Sequence, residues 1–389
     1  MNTLFEFSNK RIEDVSVSFV RYMYDRIKWN GRMLGLVGPR GVGKTTLLLQ
    51  YAKLQLNPAD TLYVSMDQMY FASHSLLEVA DRFNKTGGKH LLIDEIHKYP
   101  DWSRVLKELY DRYDDMQVIF TGSSILDIYR GSADLSRRAP IYHMQGLSFR
   151  EYLHLFHQIE ASVYSLDDIL HHRTKLPGVA HPIQYFQMYL RDGYYPFSRD
   201  VEFKMELQQL INQTLETDIP QYAQVHVSVG RKLKQLLSVI AQSVPFKPQM
   251  TSLANATKIS RNDIPDYLYY MERAGMIGQL RDNTGGVRGL GKVEKIYIDN
   301  PNLMYALAEQ TPDIGNIRET FFYNQTRVNN NVLSSRVSDF AIGDYTFEVG
   351  GKKKGNKQIE DVPNGIVVKD DIEYGFLNVI PLWALGLNY

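Results

Sequence analysis

Gly38-Pro39-Arg40-Gly41-Val42-Gly43-Lys44-Thr45-Thr46 is the stretch whose reading decides the fold of this 389-residue chain. The apolar run Met33-Leu34-Gly35-Leu36-Val37 before it reads as a buried strand. Thr46-Leu47-Leu48-Leu49-Gln50-Tyr51-Ala52 after it reads as a helix. Glycines at a strand-to-helix turn let backbone N–H groups converge on an anion, and the N-terminus of the following helix adds positive potential. Gly38, Gly41 and Gly43 serve the turn, with Pro39, Arg40, Val42 and Thr46 completing the cradle. Lys44 bridges the outer phosphates of a nucleotide, and Thr45 offers a hydroxyl to magnesium, a hard cation that prefers oxygen ligands.

Further along, Thr61 to Met66 reads as a second strand, Ser75 to Phe83 as a helix, and His90-Leu91-Leu92-Ile93-Asp94-Glu95 as an apolar strand ending in two carboxylates. Side chains on a strand alternate, so Asp94 and Glu95 point in different directions. That divides the labour: Asp94 faces magnesium, and Glu95 polarises the water that attacks the terminal phosphate. Gln117-Val118-Ile119-Phe120 forms another strand, ending in Thr121-Gly122-Ser123-Ser124. Strands alternating with helices imply an open, parallel α/β sheet with its ligand at the carboxyl ends of the strands. Upstream, the spacing of Val15, Phe19, Tyr22, Met23, Arg26 and Ile27 predicts one amphipathic helix over Val15 to Trp29.

Composition narrows the class. A chain of this length with 44% hydrophobic and 12% aromatic residues has material for two to four domains. Lys and Arg total 44, as do Asp and Glu, so any contact with nucleic acid or anionic lipid has to be local. There is no cysteine, which excludes disulfides and thiolate chemistry and fits a cytoplasmic location. No apolar run approaches the ~20 residues of a membrane-spanning helix, and Met1 to Lys10 does not read as a secretory signal.

With these residues in hand, the chain resembles the AAA+ branch of P-loop ATPases. More narrowly, it resembles a prokaryotic group of such ATPases with a C-terminal winged-helix and PD-(D/E)xK nuclease-like region. The stretches that carry the likeness are Gly38 to Thr46, Leu91 to Glu95, Gly122 to Ser124, Ser136-Arg137-Arg138, Leu147-Ser148-Phe149-Arg150-Glu151-Tyr152 and Gly193-Tyr194-Tyr195-Pro196. The resemblance implies ATP and magnesium as ligands and Ser123 as a polar sensor. It implies a sensor strand lying between the two nucleotide-binding strands, and Arg137 or Arg138 as the arginine that senses the terminal phosphate. It also implies a possible ATP-dependent homo-oligomer. The expected division is an ATPase core over 1–150, a helical lid and linker over 151–228, a winged helix-turn-helix over 229–300 and a nuclease-like domain over 301–389.

In the C-terminal half, Arg231 to Ser243, Met250 to Thr257 and Arg261 to Ala274 read as helices, and Gly278 to Ile298 as a two-stranded wing. The third helix carries Asp263, Asp266 and Glu272 against Arg261 and Arg273. Any DNA contact therefore falls to Arg281, Arg288, Lys292 and Lys295 in the wing, with a protein partner as the alternative. Glu319, Asp339 and Glu348 resemble the carboxylates of a nuclease core. Gly350 stands where the lysine belongs, leaving Lys352, Lys353 and Lys354 nearby, so the site reads as vestigial. His171, His172 and His181 lie among loop signals and read as structural. Three functions remain open: an ATP-driven switch or motor, an ATP-gated nuclease, and a nucleotide-dependent scaffold.

Overall fold

The structure is a computed structural model that describes residues 2–122, 135, 137–223, 225–243, 245–284, 291–308, 310–355 and 357–389. The chain forms two compact units, Met1–Gly146 and Leu147–Tyr389. Ser123, Ser124, Ser136 and Arg288 lie outside the described residues.

In the first unit, strands β1 (Met33–Val37), β2 (Thr61–Ser65), β3 (His90–Asp94), β4 (Gln117–Gly122) and β5 (Ile141–His143) make a sheet in the order β2-β3-β4-β1-β5. Every pairing is parallel. β4 therefore lies between β1 and β3, bringing Thr121 beside Asp94. Helices α3 (Lys44–Gln55), α4 (Leu76–Lys85) and α5 (Trp102–Arg112) cover the sheet. β1 is buried at every position, as the apolar run requires of a strand packed on both faces. Met33, Val37, Leu91, Ile93, Val118 and Phe120 share one core with Val79 and Phe83 of α4 and Leu106 and Leu109 of α5.

The expected helix over Val15 to Trp29 does not form. Helix α1 is Asn2–Asp14, and only the single turn α2 (Met23–Arg26) lies in the expected span. The Val15-Ser16-Val17-Ser18 run is poorly suited to a helix, because β-branched and hydroxyl side chains crowd or compete with the helical backbone. Carbonyls of this run and its flanks find partners on α3 instead: Gln50 Nε2 donates to Ser16 O and Phe19 O at 2.7 and 2.8 Å, and Lys53 Nζ to Glu13 O and Val15 O, both at 2.7 Å.

In the second unit, α6 (Phe149–His157) opens with a reciprocal cap. Ser148 Oγ accepts the Glu151 N–H at 3.1 Å, and the buried Glu151 carboxylate accepts the Ser148 N–H at 3.2 Å. Downstream come α7 (Leu166–Leu170), α8 (Pro182–Asp192), α9 (Phe203–Gln213), α10 (Ile219–Ala223), α11 (Ser228–Ser243), α12 (Met250–Thr257) and α13 (Ile264–Arg273). The antiparallel hairpin of β6 (Ile277–Arg281) and β7 (Val293–Ile298) follows, then α14 (Pro301–Leu307) and α15 (Ile314–Thr326). A second five-stranded sheet has the order β12-β11-β10-β9-β8, made of β8 (Val332–Ser334), β9 (Phe340–Ile342), β10 (Tyr345–Gly350), β11 (Gly365–Lys369) and β12 (Val379–Pro381). β8, β9 and β10 pair antiparallel, while β10, β11 and β12 pair parallel.

Asn302 fastens α14 to the Gly193-Tyr194 corner. It is 1% exposed, accepts the Tyr194 N–H at 2.7 Å, and donates to Tyr189 O at 3.2 Å and Leu190 O at 3.0 Å. Gly193 permits the corner, since a Cβ there would lie 2.6 Å from Tyr189 Cα. Asn302→Ala would take their side-chain partner from the buried Tyr194 N–H and the Leu190 carbonyl, while Tyr189 O keeps the Gly193 N–H. It should cost about 2–4 kcal/mol, read as a lower midpoint of chemical denaturation for the second unit.

Candidate nucleotide site

The glycines of the loop have separate jobs. A Cβ on Gly38 would sit 2.1 Å from the carbonyl oxygen of Met144, so the close approach of the chain after β5 demands glycine there. Gly41 and Gly43 have φ of 78° and 95°, a left-handed conformation that glycine adopts without strain. Gly43 caps α3, so the loop runs directly into the helix N-terminus. Lys44, 5% exposed, folds back over the loop, donating to Gly38 O at 3.0 Å and Pro39 O at 2.8 Å. Its ammonium thus spans the concavity where phosphate oxygens would compete for it.

Asp94 ends β3 and is 4% exposed. Its carboxylate accepts from Thr45 Oγ1 at 3.0 Å to each oxygen, from Tyr63 OH at 3.0 Å, and from Thr121 Oγ1. Burial pushes its pKa above the usual carboxylate range, partly offset by these hydroxyl donors. Because Thr45 gives its proton to Asp94, its oxygen keeps lone pairs for a cation. The donor set therefore fits magnesium: two hard oxygen ligands side by side, beside an anion cradle. The tyrosine is kept neutral, its pKa raised by burial and then by the Asp94 charge.

Glu95 adopts φ 54°, a left-handed backbone costing a non-glycine residue about 1–2 kcal/mol. Its N–H donates to Thr121 Oγ1 at 3.2 Å, which holds the strained turn. The carboxylate lies 3.4 Å from His97 Nε2 and 3.7 Å from Lys98 Nζ, and Lys98 also pairs with Asp67 at 2.6 Å. His97 is 4% exposed, and burial drives its pKa down to about 4, so it is neutral near pH 7.

Sequence reasoning missed several of these residues. Arg21, 5% exposed, donates to Val42 O inside the loop and to Gln145 O and Gly146 O, tying the loop to the chain after β5. Tyr63 reads from the sequence as a strand aromatic, and Thr121 as part of the Thr121-Gly122-Ser123-Ser124 stretch in which the sensor role falls to Ser123, yet the parallel register Ser65↔Asp94 and Ile93↔Phe120 puts both strands beside the acid. Arg138, expected at a terminal phosphate, forms a two-point pair with Asp111 at 3.0 and 3.2 Å, and Arg137 is exposed.

The other expected cluster lies in the second unit. Glu319 and Asp339 come together around the Lys295 ammonium of β7, at 3.1 and 3.2 Å, and Tyr297 OH donates to Glu319 at 2.9 Å. Burial and then the Asp339 charge raise the Glu319 pKa. Against the pull of burial, the two carboxylates hold Lys295 charged beyond its usual range. Glu348, 2% exposed, pairs with Lys354 and accepts from Ser338 Oγ, whereas Lys352 is exposed. Among the described residues, no group of three or more His, Asp or Glu is arranged to hold a metal ion. In the hairpin, Arg281 pairs with Glu272 at 2.9 Å and Lys292 with Glu294 at 3.7 Å. His172 contacts Leu377 O at 2.9 Å and His181 contacts Glu373 at 2.9 Å.

Residues 30–153 match the family model described as AAA domain, and residues 183–313 match a domain of unknown function (DUF8612). An uncharacterized protein of Methanocaldococcus jannaschii is 30% identical over 284 residues, which are 67% of this chain and 59% of that protein. The chain thus spans less than two thirds of that relative's length. Among solved structures, a Walker-type ATPase of Pyrococcus abyssi is 14% identical with a TM-score of 0.46, over 74% of this chain and 95% of that one. The Holliday junction branch migration motor RuvB of Thermotoga maritima is 14% identical with a TM-score of 0.32, over 70% and 89%. The loop, Asp94 and Thr121 all fall inside the matched AAA domain, an α/β fold built on the parallel five-stranded sheet. Among the described residues, no helix is long and apolar enough to cross a membrane.

His97 gives the unit a pH signature. Its folded pKa of about 4 lies below its ordinary 6.5, so the unfolded chain binds the proton first as pH falls. Its contribution is fully present above 6.5 and lost progressively toward 4. Denaturation midpoints measured across that window should fall less steeply in His97→Gln than in the parent.

Proposed function

We propose that this chain is a magnesium-dependent ATPase working as a nucleotide-driven switch or motor, in which the first unit binds and hydrolyses ATP and the second engages a partner. The observation that carries the reading is the Thr45 hydroxyl donating to both oxygens of the buried Asp94 carboxylate, beside a loop whose lysine already spans its concavity. Magnesium, when bound with the nucleotide, supplies neutralisation of phosphate charge. Thr45 and Asp94 would hold it.

The remaining work falls to groups of the chain. The backbone from Gly38 to Thr46 receives the phosphates, and Lys44 exchanges its two carbonyl partners for outer phosphate oxygens. Glu95 orients the attacking water, its direction set by the left-handed turn and by His97 and Lys98. A neutral His97 leaves Glu95 basic without adding a cation that would bind it permanently. Ser123 as sensor, and Arg137 or Arg138 as the arginine at the terminal phosphate, remain part of this proposal. An Arg138 so employed must first leave Asp111. Arginine action on a neighbour's nucleotide would accompany ATP-dependent self-association.

For the second unit we favour a protein partner over DNA read by the wing. Arg281, Lys292 and Lys295 are already engaged by carboxylates of the same unit, and phosphate contacts would have to break those pairs. The helices and hairpin over 229–300 are read as a winged helix-turn-helix, and 301–389 as a nuclease-like fold whose carboxylates serve a charge network. Duplex DNA should stay intact in magnesium or manganese. Nicking that disappears in Asp339→Ala would promote the ATP-gated nuclease to first place.

Calorimetric titration with ATP should show no binding to Lys44→Ala, because the mobile charge at the outer phosphates is gone while the turn remains. Retained parental affinity would refute that role. Glu95→Gln keeps the shape and loses the basicity, so it should bind ATP like the parent and release phosphate at least a hundredfold more slowly. Parental turnover in that variant would remove Glu95 from the chemistry.

A further inference from the structure

Among the described residues, Asp94 receives hydroxyls from three elements: Thr45 of α3, Thr121 of β4, and Tyr63 of β2. The first comes with the phosphate loop and the second with the strand inserted between β1 and β3. Tyr63 has no counterpart in the motif. It stands two residues before Ser65, the register partner of Asp94, and its phenol spans that distance along the sheet to reach the carboxylate.

The tyrosine is held from behind by α1. Its ring, 2% exposed, lies against Phe7 with centroids 6.1 Å apart and planes 20° apart. Its N–H donates to Ser8 Oγ at 2.9 Å, and Ser8 is fully buried. A carboxylate oxygen offers a limited number of acceptor positions in its plane, so fixed donors decide which lone pairs remain and where they aim. Thr45 bridges both oxygens, Thr121 occupies Oδ1 and Tyr63 occupies Oδ2. Without the phenol, Oδ2 is held, among the described residues, by Thr45 alone, the very group expected to share itself with the cation.

We propose that Tyr63 is a positioning residue for the divalent cation: its hydroxyl fixes the rotation of the Asp94 carboxylate, with Phe7 and Ser8 of α1 fixing the phenol. The inference rests on the nucleotide-site reading given above. It extends the metal seat from two residues to a chain that runs from α1 through β2 to the end of β3. Fixed outer partners of a metal ligand are commonly worth 10–100-fold in metal affinity.

Tyr63→Phe removes only the hydroxyl, keeping the ring against Phe7 and the backbone bond to Ser8. The 389-residue chain, saturated with the slowly hydrolysed analogue ATPγS, is titrated with Mn2+, and free Mn2+ is counted by electron paramagnetic resonance. Thermal unfolding and metal-free ATPγS affinity are measured in parallel. Expected for Tyr63→Phe are Mn2+ affinity about tenfold weaker, metal-free analogue affinity equal to the parent, and cooperative unfolding. Ser8→Ala, which loosens the tyrosine without touching its hydroxyl, should shift Mn2+ affinity in the same direction and by less. Unchanged Mn2+ affinity in Tyr63→Phe beside a parent that binds Mn2+ overturns the inference alone. A parent that takes up no Mn2+ with the analogue overturns the nucleotide-site reading and this inference with it.

Discussion

The Asp94 carboxylate is the constraint around which the first unit is arranged. Placing an acid at 4% exposure is unfavourable, and its raised pKa records that cost. Hydroxyls from α3, β2 and β4 are what make the position tolerable, and those elements must then be neighbours. The strand order follows the same logic, because β4 can deliver Thr121 only from between β1 and β3. Held this way, the acid would serve the proposed function as an anionic seat for a cation.

The loop shows a similar economy. Lys44 rests on two loop carbonyls, and Arg21 holds Val42 O from outside the loop, so both cations stabilise the turn. Gly38 is needed because Met144 passes close by. In the second unit, carboxylates are met by lysines from other elements: the half-buried Glu319 and Asp339 by Lys295 from β7, and the buried Glu348 by Lys354 from the turn after β10. Removing one partner of such a pair strands a buried charge, so these pairs tie the hairpin and the second sheet to their surroundings.

Much of the first unit was legible in the sequence. The loop, the strand ending at Asp94 and the alternation of strands and helices are local patterns, and local patterns survive without tertiary context. What could not be read depends on residues far apart in the chain. Tyr63 and Asp94 are brought together by sheet register, and Tyr63 looks from sequence like any strand aromatic. Arg21 sits in a span whose apolar spacing imitates a helix, while its value lies in carbonyls of Val42, Gln145 and Gly146. In the second unit, the acids Glu319, Asp339 and Glu348 were visible. The lysine between the first two was not, because Lys295 comes from the hairpin and not from the lysine-rich turn after Glu348.

The most direct test of the central claim, that Thr45 and Asp94 form a magnesium seat beside a nucleotide cradle, is steady-state phosphate release from ATP as magnesium is titrated against a fixed chelator. Release should rise with free magnesium to a plateau and vanish when the cation is removed. Release that ignores magnesium, or no release at any concentration despite bound ATP, would contradict it.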